Sequence, residues 1–164
     1  MPTRSETPFT GVRIRFVSEK SIDELLAGLL DDVGHRPVSL DKLAAEHDTW
    51  ETYQAAVETH VGPSGFMLFA SIDHGAWITK AGIEQRVVRF VIGNPLIAIT
   101  MLRHDVTAGL FAPVELLVTE EPGGGSSLTY VRPSSLMVVE PNAELLAAAE
   151  VLDAKLDALA AKVS

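Results

Sequence analysis

Cysteine is missing from the chain, and its absence removes several kinds of chemistry. Disulfide bonds, thiolate catalysis and cysteine-ligated zinc sites are all excluded. The histidines give no other metal signal, because no two of them stand at the His-x-x-x-His spacing of a helical zinc site. A metal site would have to combine distant segments, so the sequence predicts no metal and no other cofactor.

Basic residues are few as well. The chain has 13 lysines and arginines against 22 aspartates and glutamates, a formal net charge of -9. Binding to nucleic acid needs a clustered basic surface. Here Arg86 and Arg89 form the only close basic pair in the middle of the chain. The sequence therefore argues against nucleic acid and against an anionic membrane surface as partners.

Long apolar runs are also absent. No run approaches the length of a membrane span, and residues 1–6 lead into no apolar signal core, so we expect a cytoplasmic protein. The hydrophobic share of 47% with 21% charged residues is typical of a globular protein, and 164 residues predict one domain. Residues 1–10 are mostly polar and contain two prolines, and we expect this start to be flexible.

The rest of the chain is a succession of short periodic segments. Alternating or continuous apolar residues predict strands, while apolar residues three and four apart after a capping residue predict helices. The predicted strands cover residues 12–17, 66–72, 87–92, 110–119 and 127–131, with an extension over 136–139. The predicted helices cover residues 22–33, 39–46, 49–61 and 95–105, a turn or two around Trp77, and a long segment after Asn142.

This order of elements predicts an α+β fold. We expect a mostly antiparallel sheet of about five strands, with helices packed on one face and a long C-terminal helix. The hairpin near the end of the chain and the short connections favour this arrangement over a doubly wound parallel sheet, which is the second choice.

Several short islands of sequence carry a family resemblance. They are Ile72-Asp73-His74, the run from Phe90 to Pro95, Gly109-Leu110 with Ala112-Pro113, and the run from Tyr130 to Pro133. In order and spacing, the span from about Ser71 to Leu136 is similar to domain-of-unknown-function family 302, in its Asp-His subtype.

The resemblance implies a small α+β domain that associates as a homodimer, with residues 65–140 as the family-like core. It implies no established reaction. The chain departs from the family pattern at two places. Members of the Asp-His type often carry Gly-Thr where this chain has Ala98-Ile99, and the helical stretch 39–64 looks like an insertion.

The sharpest candidate site is Asp73-His74, which follows a predicted buried strand. Histidine as a residue type ionises near neutral pH, so a histidine at a strand end is suited to general acid/base work or to metal ligation. The resemblance adds Asn94 and Tyr130 as companions. In the alternative interpretation, Asp73 caps the next helix and His74 makes only local contacts.

Two further positions carry polar groups of interest. Asn94-Pro95 opens a helix whose free N–H groups are suited to a carboxylate or a phosphate, although an ordinary N-cap explains the same residues. Glu115 alternates with apolar neighbours and faces either a cleft or solvent. One small ligand in contact with His74, Asn94 and Tyr130 requires these side chains to lie within about 15 Å.

Five aromatic residues could line an apolar pocket, with membership of the core as the alternative: Trp50, Tyr53, Phe66, Phe69 and Trp77.

Taken together, the sequence features favour a non-catalytic, homodimeric domain that binds a small ligand through His74, Asn94, Tyr130 and Glu115. An enzyme with His74 as general base, oriented by Asp73 or Glu115, is the first alternative. A protein–protein interaction module that uses the C-terminal helix is the second.

Overall fold

The computed structural model describes residues 1–164 and contains one five-stranded sheet. All neighbouring strands are antiparallel, in the order β1-β5-β4-β3-β2. The strands are β1 (Arg13–Ser18), β2 (Met67–Asp73), β3 (Val87–Gly93), β4 (Val114–Glu120) and β5 (Ser126–Val131). The predicted α+β class, antiparallel sheet and long C-terminal helix are therefore confirmed.

Seven helices connect or follow the strands. They are α1 (Ile22–Val33), α2 (Leu40–Glu46), α3 (Trp50–Glu58), α4 (Gly75–Ile78), α5 (Pro95–Leu102), α6 (Pro133–Met137) and α7 (Ala143–Val163). Polar caps set several of their starts: the side chains of Ser21, Thr49 and Asn142 accept backbone N–H bonds of α1, α3 and α7. None of the helices has the length and apolar composition that crossing a membrane requires.

The main core lies between one face of the sheet and the helices α1 and α7. The strands alternate as their sequence predicts, so Leu116 and Val118 of β4 are buried while Glu115 is exposed. On α7, Leu145 and Leu156 lie in the same core. The opposite face of β1, β4 and β5 carries polar and half-exposed side chains.

A smaller apolar cluster lies beside the edge strand β2. Leu43 of α2 and Val57 of α3 pack against Met67. The segment before α2 runs along the same edge, where the Val38 N–H donates to the Leu68 carbonyl at 2.8 Å. The helices α2 and α3 therefore cover the start of β2, which would otherwise be an open sheet edge.

Three details of the predicted elements were wrong. Residues 110–113 are not strand, because Pro113 has no N–H for the ladder of an inner strand, and β4 begins only at Val114. Residues 133–137 form α6 instead of an extension of β5, since proline suits the first position of a helix. The strand β2 is not buried on both faces: its last three residues are exposed at the sheet edge.

A buried carboxylate ties three segments together. Asp32 of α1 is 3% exposed, and its carboxylate accepts the Ser64 N–H at 3.2 Å, the Ser64 hydroxyl, and Lys162 Nζ at 2.7 Å. Burial acts to raise the pKa of Asp32, but the bonds from Lys162 and Ser64 outweigh it and hold that pKa below its ordinary value. The charged form of Asp32 therefore stabilises the fold.

We expect Asp32→Asn to lower the free energy of unfolding by about 1–3 kcal/mol at pH 7, because the bond to Lys162 loses its charge assistance. The folded-state pKa of Asp32 is depressed, so its contribution is present above the ordinary carboxyl pKa of about 4 and is lost as the pH falls through the folded value. Urea unfolding from pH 7 down to pH 3 checks this.

The matched control is Asp31→Asn, whose carboxylate is exposed and pairs only with His35. It should change stability little. A difference between wild type and Asp32→Asn that stays constant from pH 7 to pH 3 would contradict the role given to the charge.

Candidate functional site

An apolar cavity of about 330 Å³ lies at the end of the sheet where β3 passes into α5. Of its 17 lining residues 13 are hydrophobic, and none is charged. The lining residues are Leu40, Trp50, Tyr53, Phe66, Phe69, Gly93, Asn94, Pro95, Ile97, Ala98, Ile99, Met101, Leu102, Ala112, Pro113, Val114 and Leu152. This volume lies at the lower end of the range that small-molecule sites occupy.

One wall of the cavity comes from the start of α3. Thr49 caps this helix and fixes its first turn, so Trp50 and Tyr53 lie three residues apart on one side. Their ring centroids are 5.9 Å apart. Trp50 is 47% exposed, so its indole lies where the cavity meets solvent.

The opposite wall depends on a glycine. A Cβ at Gly93 would lie 3.0 Å from the Phe69 ring and 3.1 Å from Pro113 Cβ. The missing side chain therefore allows Phe69 and Pro113 to approach the end of β3 and close the cavity on this side. The first turns of α5 complete the wall with Ile97, Ala98 and Ile99.

The Tyr53 hydroxyl and the Trp50 indole N–H are the side-chain polar groups of the cavity lining that make no hydrogen bond within the protein. Partial burial raises the pKa of the Tyr53 hydroxyl above its ordinary value. Tyrosine hydroxyls in apolar surroundings usually have a partner. This neutral hydroxyl is therefore available to donate to, or accept from, a bound molecule.

Asn94 lies in the cavity wall, but its side chain is already engaged. Its oxygen accepts the Leu96 N–H at 2.8 Å, and its amide donates to the Gly65 carbonyl at 2.9 Å. These bonds make Asn94 the N-cap of α5 and join that helix to the loop before β2. The structure thus shows the capping role that the sequence offered as the alternative.

His74 and Asp73 lie at the other end of the sheet. Since Asp73 pairs with Val88 and Met67 pairs with Gly93, about 20 Å of strand separate His74 from Asn94. Asp73 accepts the Ala76 N–H at 3.1 Å, as a helix cap does. No single small ligand reaches both His74 and Asn94.

The contacts of His74 do not favour a general base. The Trp77 indole N–H donates to Nδ1 of His74 at 3.2 Å, and the two rings meet edge to face. Neutral His74 therefore carries its proton on Nε2, which leaves no free lone pair on either ring nitrogen. Asp73 bonds Ala76 instead of the imidazole, and Glu115 lies two strands away, beyond hydrogen-bonding reach.

Tyr130 and Glu115 lie on opposite faces of the sheet. The Tyr130 side chain is 3% exposed, stacks on Phe16, and donates its hydroxyl proton to Asp157 of α7. Burial, reinforced by the Asp157 carboxylate, raises the pKa of Tyr130 far above its ordinary value. Glu115 is exposed and pairs with Arg89. Tyr130 and Glu115 both belong to the lining of a further cavity, but His74 and Asn94 lie outside it, so the four residues predicted to bind one ligand are not brought together.

The aromatic residues predicted the cavity better than the polar ones. Trp50, Tyr53, Phe66 and Phe69 line it together, whereas Trp77 packs on His74 elsewhere. The sequence did not predict that Ala98 and Ile99 line the cavity. The sequence signals for them are the departure from the Gly-Thr pattern of the family and their place in the first turns of a helix that follows Gly93 and Asn94.

Comparison with known proteins agrees with the fold. The sequence matches the family described as "Domain of unknown function DUF302" over residues 42–163, most of the chain. The chain belongs to the DUF302 family. A comparison with curated proteins finds no match.

A DUF302 crystal structure shares the architecture. It is the structure of an uncharacterized conserved protein from Bacillus stearothermophilus, with a TM-score of 0.65 and 16% sequence identity. The alignment covers 93% of this chain and 98% of that one. At this identity the likeness shows the fold alone.

The DUF302 match spans the segments that form the cavity. It begins in α2 and runs through α3, so it includes most of the stretch 39–64 that was predicted as an insertion. All the lining residues except Leu40 fall inside it. Ala98-Ile99, the position at which the sequence resemblance predicts a departure from the family pattern, lies in the cavity wall.

Proposed function

We propose that this DUF302 domain binds a small, largely apolar molecule in the cavity between α3 and α5. The observation that carries the proposal is the cavity itself, about 330 Å³ with mainly hydrophobic walls and one tyrosine hydroxyl that has no partner in the protein. Apolar clefts with few polar groups are the usual form of small-molecule sites.

The lining also defines the class of ligand. No charged residue reaches the cavity, so an ionised group buried there would have no counter-ion. The ligand is therefore neutral, with an aromatic or branched aliphatic body. One hydrogen-bonding group on it would meet the Tyr53 hydroxyl, close to the rim that Trp50 forms.

Titration with N-phenyl-1-naphthylamine tests this proposal. The probe is neutral, fluoresces in apolar surroundings and carries one N–H. We expect saturable fluorescence, and a Kd that rises about 2–10-fold in Tyr53→Phe, because one neutral hydrogen bond is lost. Trp77→Phe, an aromatic substitution outside the cavity, should leave the Kd unchanged. Absence of saturable binding, or an equal effect of both variants, would refute the proposal.

The other parts of the expected function stay predictions. A homodimer, a cytoplasmic location, an acid/base enzyme with His74 and an interaction module that uses α7 are all untested. The proposal for the cavity is argued from none of them.

A further inference from the structure

A second cavity, of about 510 Å³, lies on the face of the sheet that α1 and α7 do not cover. Its floor is formed by β4 and β5, and one side by Arg13 of β1. Leu110, Phe111 and Leu136, from the segments before β4 and after β5, form an apolar wall. Leu110 is 80% exposed, so a large apolar side chain stands at this wall without a protein neighbour to cover it.

Three arginines share this face of the sheet, and two of them are neutralised. Arg15 bonds Glu121 at 2.5 Å, and Arg89 bonds Glu115. Arg13 makes no ion pair and no side-chain hydrogen bond. In a chain with a net charge of -9, the cavity therefore contains one unpaired cation.

A free hydroxyl lies within reach of that cation. Arg13 is directly opposite Val131 on β5, and Thr129 is two residues away on the same face. Such diagonal neighbours are about 7–8 Å apart, a distance that an arginine side chain spans. The Thr129 hydroxyl makes no hydrogen bond in the protein, so it and the Arg13 guanidinium can hold the same anionic group.

We infer that this cavity binds an amphipathic monocarboxylate, with the carboxylate on Arg13 and Thr129 and the hydrocarbon tail against Leu110, Phe111 and Leu136. The guanidinium fork matches the geometry of a carboxylate, and the wall removes a chain of several carbons from water. Glu115 does not repel the ligand, because Arg89 already compensates its charge. The site shares no wall residues with the first cavity except Pro113 and Val114.

Calorimetric titration with sodium octanoate tests the site. We expect saturable binding to the wild-type protein and a Kd at least about tenfold higher in Arg13→Gln, which removes a charge-assisted contact. Arg13→Lys keeps the charge without the fork and should weaken binding less. Arg15→Gln, on the same face but already paired, should change the Kd less than about twofold.

Three further titrations distinguish this site from the first cavity and from the binding of a simple alcohol or a simple anion. Ala98→Phe, which narrows the first cavity, should leave octanoate binding intact. 1-Octanol and inorganic phosphate should each bind at least about tenfold more weakly than octanoate, because each lacks one half of the ligand. The inference is overturned if octanoate shows no saturable binding, if Arg13→Gln binds it as tightly as wild type, or if Ala98→Phe abolishes its binding.

Discussion

Gly62→Ala is expected to lower the free energy of unfolding by more than about 3 kcal/mol, a large part of the stability of a domain this size. A Cβ on Gly62 would overlap the carbonyl oxygen of Asp32 in α1. The Gly62 N–H also donates to the Phe66 carbonyl at 2.8 Å, so the turn before β2 cannot move away without losing that bond. The obstacle is backbone, which cannot rotate aside as a side chain can.

Gly28→Ala is the matched control. Gly28 lies inside α1, and a Cβ there would meet only Val163 Cβ, at the ordinary contact distance of 3.9 Å. Alanine in a helix interior is favoured over glycine by about 0.5–1 kcal/mol, so this variant should be slightly more stable than wild type. Urea unfolding of the three proteins checks both signs. Equal, small changes in the two variants would contradict the close approach of Gly62 to α1.

Filling the first cavity should have the largest effect on ligand binding. Ala98→Phe adds an aromatic ring to a wall of a space of about 330 Å³. We expect the Kd for N-phenyl-1-naphthylamine to rise at least about tenfold, since ring and probe compete for one volume. The fold should persist, because the new side chain enters a cavity instead of a packed core.

Ala161→Phe provides the control for this prediction. Ala161 is exposed on α7 and lies outside the first cavity. The substitution therefore adds the same phenyl group at a helical position without filling that cavity. Its Kd should equal that of wild type. A probe that binds Ala98→Phe and wild type equally well would place the binding outside the cavity.

The fold follows from the sequence wherever the signals are local. Ser21 with Glu24, Thr49 and Asn142 mark helix starts that the structure confirms. Apolar alternation gives the strands. The strand limits near Pro113 and Pro133 were missed, because a proline both interrupts a strand and starts a helix, and local pattern does not separate these effects.

The candidate site was harder to predict, because it depends on which strand ends meet. His74 follows β2 and Asn94 follows β3. Two consecutive antiparallel strands run in opposite directions, so their C-terminal ends lie at opposite ends of the sheet. A shared site for them was therefore inconsistent with the predicted antiparallel sheet itself. The sequence alone also did not predict that Tyr130 and Glu115 lie on opposite faces of the sheet. The face of each side chain depends on the register of its strand, and a shift of one residue reverses it.

The first cavity is formed by segments that are far apart in the sequence, and no local sequence pattern indicates that they meet. Trp50 and Tyr53 on α3 meet Ile97 and Ile99 on α5 only because α2 and α3 pack beside β2. The cluster of aromatic residues raised the possibility of a pocket, but the same residues are equally typical of a core. The sequence therefore predicted most of the aromatic wall, but of the α5 wall only Asn94 at the start of that helix.

Methyl NMR of isoleucine-labelled protein during titration with N-phenyl-1-naphthylamine tests the central claim most directly. The naphthyl ring shifts nearby methyl resonances, so the δ1 methyls of Ile97 and Ile99 should move saturably and show contacts to probe protons. The methyls of Ile72 and Ile83, exposed elsewhere, should stay in place. Unmoved Ile97 and Ile99 at saturating probe, or equal shifts of all four methyls, would contradict a binding site between α3 and α5.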